Sequence, residues 1–169
     1  MNLEFFIVRL RANRDAIAGL LNELSAEQAR WKPTPKDWSA LEVINHLVDE
    51  ERDDFRTRLR MTLFHPGEPW PPIDPEGWVV ERAYAQRDLQ HSIQQFLAER
   101  AESLSWLETC TEADWDATYQ HPVGPITAGD LFAAWLAHDL LHLRQLVELH
   151  WGYLNQVATP YTTRYAGDW

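Results

Sequence analysis

Apolar residues recur at helical spacing along four stretches of this 169-residue chain, and no stretch carries a convincing strand alternation. In the first, Leu3, Phe6, Ile7, Leu10, Ile17, Leu20, Leu21 and Leu24 define an amphipathic helix over residues 2–24. Ser25 and Gln28 then form a short S-x-x-Q box, and Pro33 and Pro35 end any helix beyond it. Ser39 and Glu42 form a second capping box. It predicts a long helix from about Ala40 to about Leu63, with a stripe of Leu41, Ile44, Val48, Phe55 and Leu59. Five prolines between His65 and Pro75 forbid regular structure and predict a long surface loop. The helical period resumes from Asp88 through Leu89, Ile93, Phe96, Leu97, Arg100, Leu104 and Leu107, with a looser start as early as Val79. His121-Pro122-Val123-Gly124-Pro125 reads as turn and extended chain. Thr127 with Asp130 caps a last helix running from Ala128 to about Trp151, where Gly152 is placed to stop it. The aromatic tail, Tyr153 to Trp169, is expected to pack back on the body. The pattern predicts an all-α four-helix bundle in one domain spanning residues 1–169. Its long connections after the second and third helices permit an order other than simple up-down.

Composition narrows the partners. Twenty-six acidic against fifteen basic residues give a net charge of −11, with no Lys/Arg cluster to offset it. Nucleic acid and anionic membrane both require positive charge at the contact, so neither is an expected partner. No apolar run approaches the roughly 20 residues of a membrane span. The lone Cys110 excludes an intramolecular disulfide, and the N-terminus lacks the basic-then-apolar order of a signal peptide, so a cytoplasmic location is the expectation. Nine Trp read as packing residues.

Seven histidines are more informative by position than by number. His138 and His142 are four residues apart, so they project from one helix face one turn apart, among Leu131, Trp135, Leu141, Gln145 and Leu149. An unsatisfied buried polar group costs about 1–3 kcal/mol, so two imidazoles on an apolar face need a partner, either hydrogen bonds or a shared metal ion. Catalytic sites of the zinc type take three protein ligands and keep a position open, whereas structural sites favour several Cys, which this chain lacks. His46, mid-way along the second helix, is the best third ligand, although it lies opposite the clear stripe of that helix. Periodicity alone leaves open whether that helix is buried on two sides or His46 is exposed. His65 and His91 read as exposed, His121 as a turn residue, and His150 as facing away from the pair.

The segment W-S-A-L-E-V-I-N-H-L-V-D-E-E from Trp38 to Glu51, with A-H-D-L-L-H-L-R-Q-L from Ala137 to Leu146, resembles the DinB-like superfamily, which includes the YfiT-type metalloproteins. Y-A-Q-R-D-L at Tyr84, H-P-V-G-P-I-T before the last helix and the closing Y-A-G-D-W belong to the same resemblance. It implies a four-helix bundle with one divalent metal ion on His46, His138 and His142. Zn or Ni is the first expectation, and imidazole also accepts Fe or Mn. Such an ion acidifies a water or a low-molecular-weight thiol, so the expected function is a hydrolase or thiol transferase acting on a small molecule. A non-catalytic metal-dependent stress-response or ligand-binding module is the alternative. Glu50, on the His46 face, and Asp139, beside His138, are candidate supporting carboxylates, although a solvated surface position is the commoner fate of such residues. Phe132, Leu136, Leu140, Leu143 and Val147 form a second apolar stripe on the last helix, opposite the His face. A homodimer contact is the expected cover, as in relatives of this type.

Overall fold

Two reciprocal caps start the helices that carry the chemistry. At α3 (Ala40–Asp49), Ser39 Oγ accepts the Glu42 N–H while the Glu42 carboxylate accepts the Ser39 N–H. At α7 (Ala128–Val157), Thr127 and Asp130 repeat the exchange. Each pair satisfies backbone donors that a helix start leaves over. The computed structural model describes residues 1–167; Asp168 and Trp169, the end of the tail and of the Y-A-G-D-W segment, lie outside the described residues.

Around these two helices the chain forms α1 (Leu3–Leu21), a short α2 (Ala26–Arg30), α4 (Thr57–Phe64), a short α5 (Pro75–Glu81) and α6 (Leu89–Leu107). A π-helical segment, Glu50–Arg56, joins α3 to α4, so Ala40–Phe64 is one long rod. The four-helix bundle is made of α1, this rod, α6 and α7. Helix α1 packs along α6 and α7, α3 along α6, and α4 along α7, so the first two long helices sit on a diagonal. That order differs from up-down-up-down.

Every residue from Ala40 to Glu51 is buried. Helices α2, α5, α6 and α7 and the turn at Tyr84–Gln86 all pack on α3, which is therefore covered on all sides and buries His46. The π-helical turn adds about one residue to the helical repeat, which shifts the phase of the residues beyond it by about 100°. A regular helix would put Phe55 opposite His46. Here both rings face His138, with centroids 5.1 and 5.3 Å from it.

A buried charged layer divides the apolar core in two. On one side lie Ile17, Leu21, Leu41, Ile44, Val48, Ile93, Phe96 and Leu146; on the other lie Ile7, Leu10, Leu59, Leu104, Leu107, Leu131, Phe132 and Trp135. Between them Arg100, fully buried, donates through Nε and Nη2 to Glu51 and through Nη1 and Nη2 to Asp139, all at 2.8 Å. Its remaining N–H reaches Leu10 O at 3.1 Å, so all five donors are used. Asn13 donates to Asp139 and Trp135 Nε1 to Glu51, so all four bundle elements meet in this layer.

Four expectations change. Helix α7 runs on to Val157, because Gly152 is a site of close approach rather than a stop: a Cβ there would lie 2.6 Å from Cη2 of Trp31, whose Nε1 donates to Gln156. Of the tail, Tyr153 and Gln156 extend α7 and pack on Trp31, while beyond Val157 Tyr161 and Tyr165 are exposed. Residues 75–81 form the separate helix α5, capped by Asp74 with Pro75 at its start, and the left-handed Ala83 breaks the chain before α6. The extended stretch pairs as an antiparallel hairpin, β1 (Thr118–His121) with β2 (Gly124–Thr127), the one sheet among the described residues.

Candidate metal centre

Helix α7 carries His138 and His142 one turn apart, and α3 brings His46 across to them. His46 Nε2 lies 3.3 Å from His138 Nε2, and His142 Nε2 lies 3.1 Å from it. All three ligand atoms fall within 4.8 Å of one another, and this is a group that could hold a metal ion. Two nitrogens bound at about 2.05 Å to one tetrahedral ion are about 3.3 Å apart, so the separations of His138 from His46 and from His142 match those of such an ion.

Protonation states point the same way. Gln145 Oε1 can only accept, so at 2.8 Å it takes the Nδ1–H of His142 and leaves the Nε2 lone pair facing the cluster. Burial, with the neighbouring imidazoles, pushes His46 down to about 2; burial with His142 and Arg100 pushes His138 down to about 3. His142 is also lowered by burial, against the opposing Gln145 bond and Asp139 charge. Three neutral rings bring their Nε2 atoms together, and at His142 the nitrogen turned to the cluster carries a lone pair, which suits a cation.

Behind His46, one turn along, sits Glu50, whose N–H bonds His46 O. It is buried, and its carboxyl meets that of Asp54, while Asp54 Oδ1 is 3.0 Å from Arg58 Nε. Two carboxylates in contact cannot both ionise. Burial and the Asp54 charge push Glu50 up to about 8, and Asp54, raised by burial but opposed by Arg58, keeps the charge. Glu50 thus holds a proton at neutral pH. Asp139 is equally buried, but both its oxygens are committed to Arg100. Neither carboxylate is the solvated surface group its type suggested.

Trp38 packs on His46 with centroids 4.9 Å apart, and Phe55 is shared between His138 and a stack on Trp135. Beyond Phe55 opens a cleft of about 340 Å³ that reaches Trp70 in the proline-rich loop. Sequence reasoning found the three histidines and missed this wall, because Trp70 sits in a loop without periodicity. It also missed the charged layer, although Arg100 falls in step with Phe96 and Leu104 on the apolar stripe of α6. The other histidines stay apart from the cluster: His65 and His91 are exposed, His121 lines the cleft, and His150 bonds Leu20 O. Leu141, placed by periodicity on the His face, is 55 % exposed, so the triad lies near a surface rather than deep in the core.

A family model described as the DinB superfamily matches residues 9–146. Among curated proteins none matches the chain significantly. Among solved structures the chain is similar to YfiT from Bacillus subtilis, with a TM-score of 0.77 and 17 % identity over 87 % of this chain and 85 % of that one. YfiT is described as a probable metal-dependent hydrolase with an unusual four-helix bundle topology. At that identity the likeness shows the fold.

Proposed function

This chain belongs to the DinB superfamily, and we propose that it holds one divalent metal ion on His46, His138 and His142 and uses it in hydrolysis or thiol transfer on a small molecule. The observation that carries the reading is the convergence of three neutral imidazole nitrogens within 4.8 Å of one another, two of the separations being those of ligands on one tetrahedral ion. The description of YfiT as a probable metal-dependent hydrolase supports the same class of chemistry. A divalent ion in such a site supplies Lewis acidity and lowers the pKa of a water or thiol. Zn or Ni suits the all-imidazole set best, with Fe or Mn also accepted. The protein's own residues divide the remaining work. Gln145 fixes the tautomer of His142, and Trp38 and Phe55 limit water at the triad. Glu50 holds a proton, with Asp54 and Arg58 orienting it, so the pair can take up or release one as charge changes nearby. The cleft beside Phe55 favours a catalytic role over a non-catalytic module, since it gives a small molecule room next to the site.

The test is metal analysis of protein purified without an affinity tag. Single His46→Ala, His138→Ala and His142→Ala variants should lose metal, while His91→Ala and His150→Ala should retain it. Gln145→Ala should weaken metal affinity by roughly 10–100-fold. Full occupancy in His46→Ala would overturn the three-His reading. A hydrolase and thiol-transfer screen on metal-loaded protein then assigns the reaction.

A further inference from the structure

Three contacts fix the proline-rich segment between α4 and α5. Arg58 Nη2 donates to Pro71 O at 3.2 Å, the Trp70 N–H donates to the Tyr119 hydroxyl at 3.2 Å, and the Trp70 and Tyr119 rings stack at 3.9 Å and 10°. The Arg58 guanidinium covers the Trp70 ring at 5.0 Å. Trp70 thereby lines the cleft together with Phe55, Ile126 and Leu131. Its 340 Å³ equals the volume of roughly eleven waters at about 30 Å³ each, the size of a one-ring molecule with a short substituent. Phe55 touches both the cleft and His138, so whatever sits there lies beside the triad.

The charges that line the cleft close on one another. Arg58 is paired with Asp54, and Asp130 accepts from the Thr127 N–H and hydroxyl. No cation among the lining residues is left for an anionic group. A neutral donor does remain: His121 Nδ1 accepts the Val123 N–H, which leaves its Nε2–H to donate, while Trp70 Nε1, also without a partner, is covered by the packing around it. Buried polar atoms without partners are few in native proteins. The four found among the described residues are Trp70 Nε1, Arg58 Nε, Glu50 Oε1 and His46 Nδ1, and Arg58 Nε has an ion pair 3.0 Å away. Of these, Arg58 and Trp70 line the cleft, Glu50 meets the lining Asp54, and His46 belongs to the triad.

From this we infer that the cleft binds a small uncharged aryl carbonyl compound, of the size of an aryl amide or ester, between Phe55 and Trp70. The role of that compound as substrate rests on the metal reading above, but its binding does not, because no cleft wall is a triad histidine. Benzamide is the probe, titrated calorimetrically into protein as purified and after chelator stripping, with benzoate and cyclohexanecarboxamide as comparators. Benzamide should bind both protein forms alike and more tightly than either comparator. Trp70→Ala should weaken it roughly tenfold, the scale of one lost aromatic contact. Ile126→Trp, which fills the cleft from β2 without touching the loop, should abolish binding. Equal affinity for benzoate or cyclohexanecarboxamide, or unchanged affinity in Ile126→Trp, overturns the inference. Benzamide binding that vanishes on stripping also overturns it and assigns the probe to the metal. Benzamide binding in protein that carries no metal as purified and takes none up when metal is added overturns the metal reading alone.

Discussion

Acidification of metal-stripped protein from pH 6.5 to 4.5 should cost about 2 kcal/mol of folding stability, a figure set by three groups of opposite sign. His46 at about 2 and His138 at about 3 lie far below the ordinary 6.5. In this window the unfolded chain therefore binds two protons that the folded chain refuses. The stability they contribute is present above pH 6.5 and is lost as pH falls toward their folded values. Each ring costs about 2.3 kcal/mol over the two units. Glu50 runs the other way. Raised from 4.5 to about 8, it binds a proton in the folded state that the unfolded state lacks, so its contribution is full below 4.5 and lost as pH rises through 8. It returns about 2.3 kcal/mol between pH 6.5 and 4.5, leaving the net near 2. His142, also lowered, adds to the loss, and Asp54, raised by burial, opposes it. The carboxylates held low, Asp53 and Glu42, titrate mainly below this window. Urea denaturation at half-unit pH steps measures the slope. Glu50→Gln should roughly double the loss, and His46→Leu should roughly cancel it. A flat profile, or stability that rises on acidification in the wild type, would refute the assignment of neutral imidazoles and a protonated Glu50.

Arg100→Met strands Glu51 and Asp139 as unpaired buried charges, and should cost about 3–5 kcal/mol by urea denaturation; a loss below 1 kcal/mol would mean that water enters the layer. The α7 stripe read from the sequence is divided by the fold: Phe132 is buried and Leu136 and Leu143 pack on the two half-cores, while Leu140 (56 %) and Val147 (36 %) stay exposed and continue into Leu154 (48 %). We expect a homodimer through that strip, which Leu140→Glu with Leu154→Glu should convert to monomer; a monomeric wild-type mass by light scattering at micromolar concentration rejects it.

Local chemistry was legible where it is local in cause. Ser39 with Glu42 and Thr127 with Asp130 act within one turn, so their caps fixed the starts of α3 and α7 to the residue. The i,i+4 spacing of His138 and His142 likewise needs no tertiary knowledge. His46 did, because only the packing of five other elements on α3 decides that its second face is buried. Gly152 reads as a stop until Trp31, more than a hundred residues earlier, is seen to occupy the space of its missing side chain. Charge at Asp139 reads as surface until Arg100, in step with the apolar stripe of α6, is found to pair with it.

The widened turn at Glu50–Arg56 also bears on how this chain is to be aligned with others. A relative whose rod stays regular through this point would carry one residue fewer between its counterparts of His46 and Leu59. The faithful correspondence would then place a single-residue gap inside a helix, where alignments ordinarily resist one. Forced into register, Phe55 and Asp54 would each be matched to a neighbour's counterpart, and two residues that line the cleft would look unconstrained.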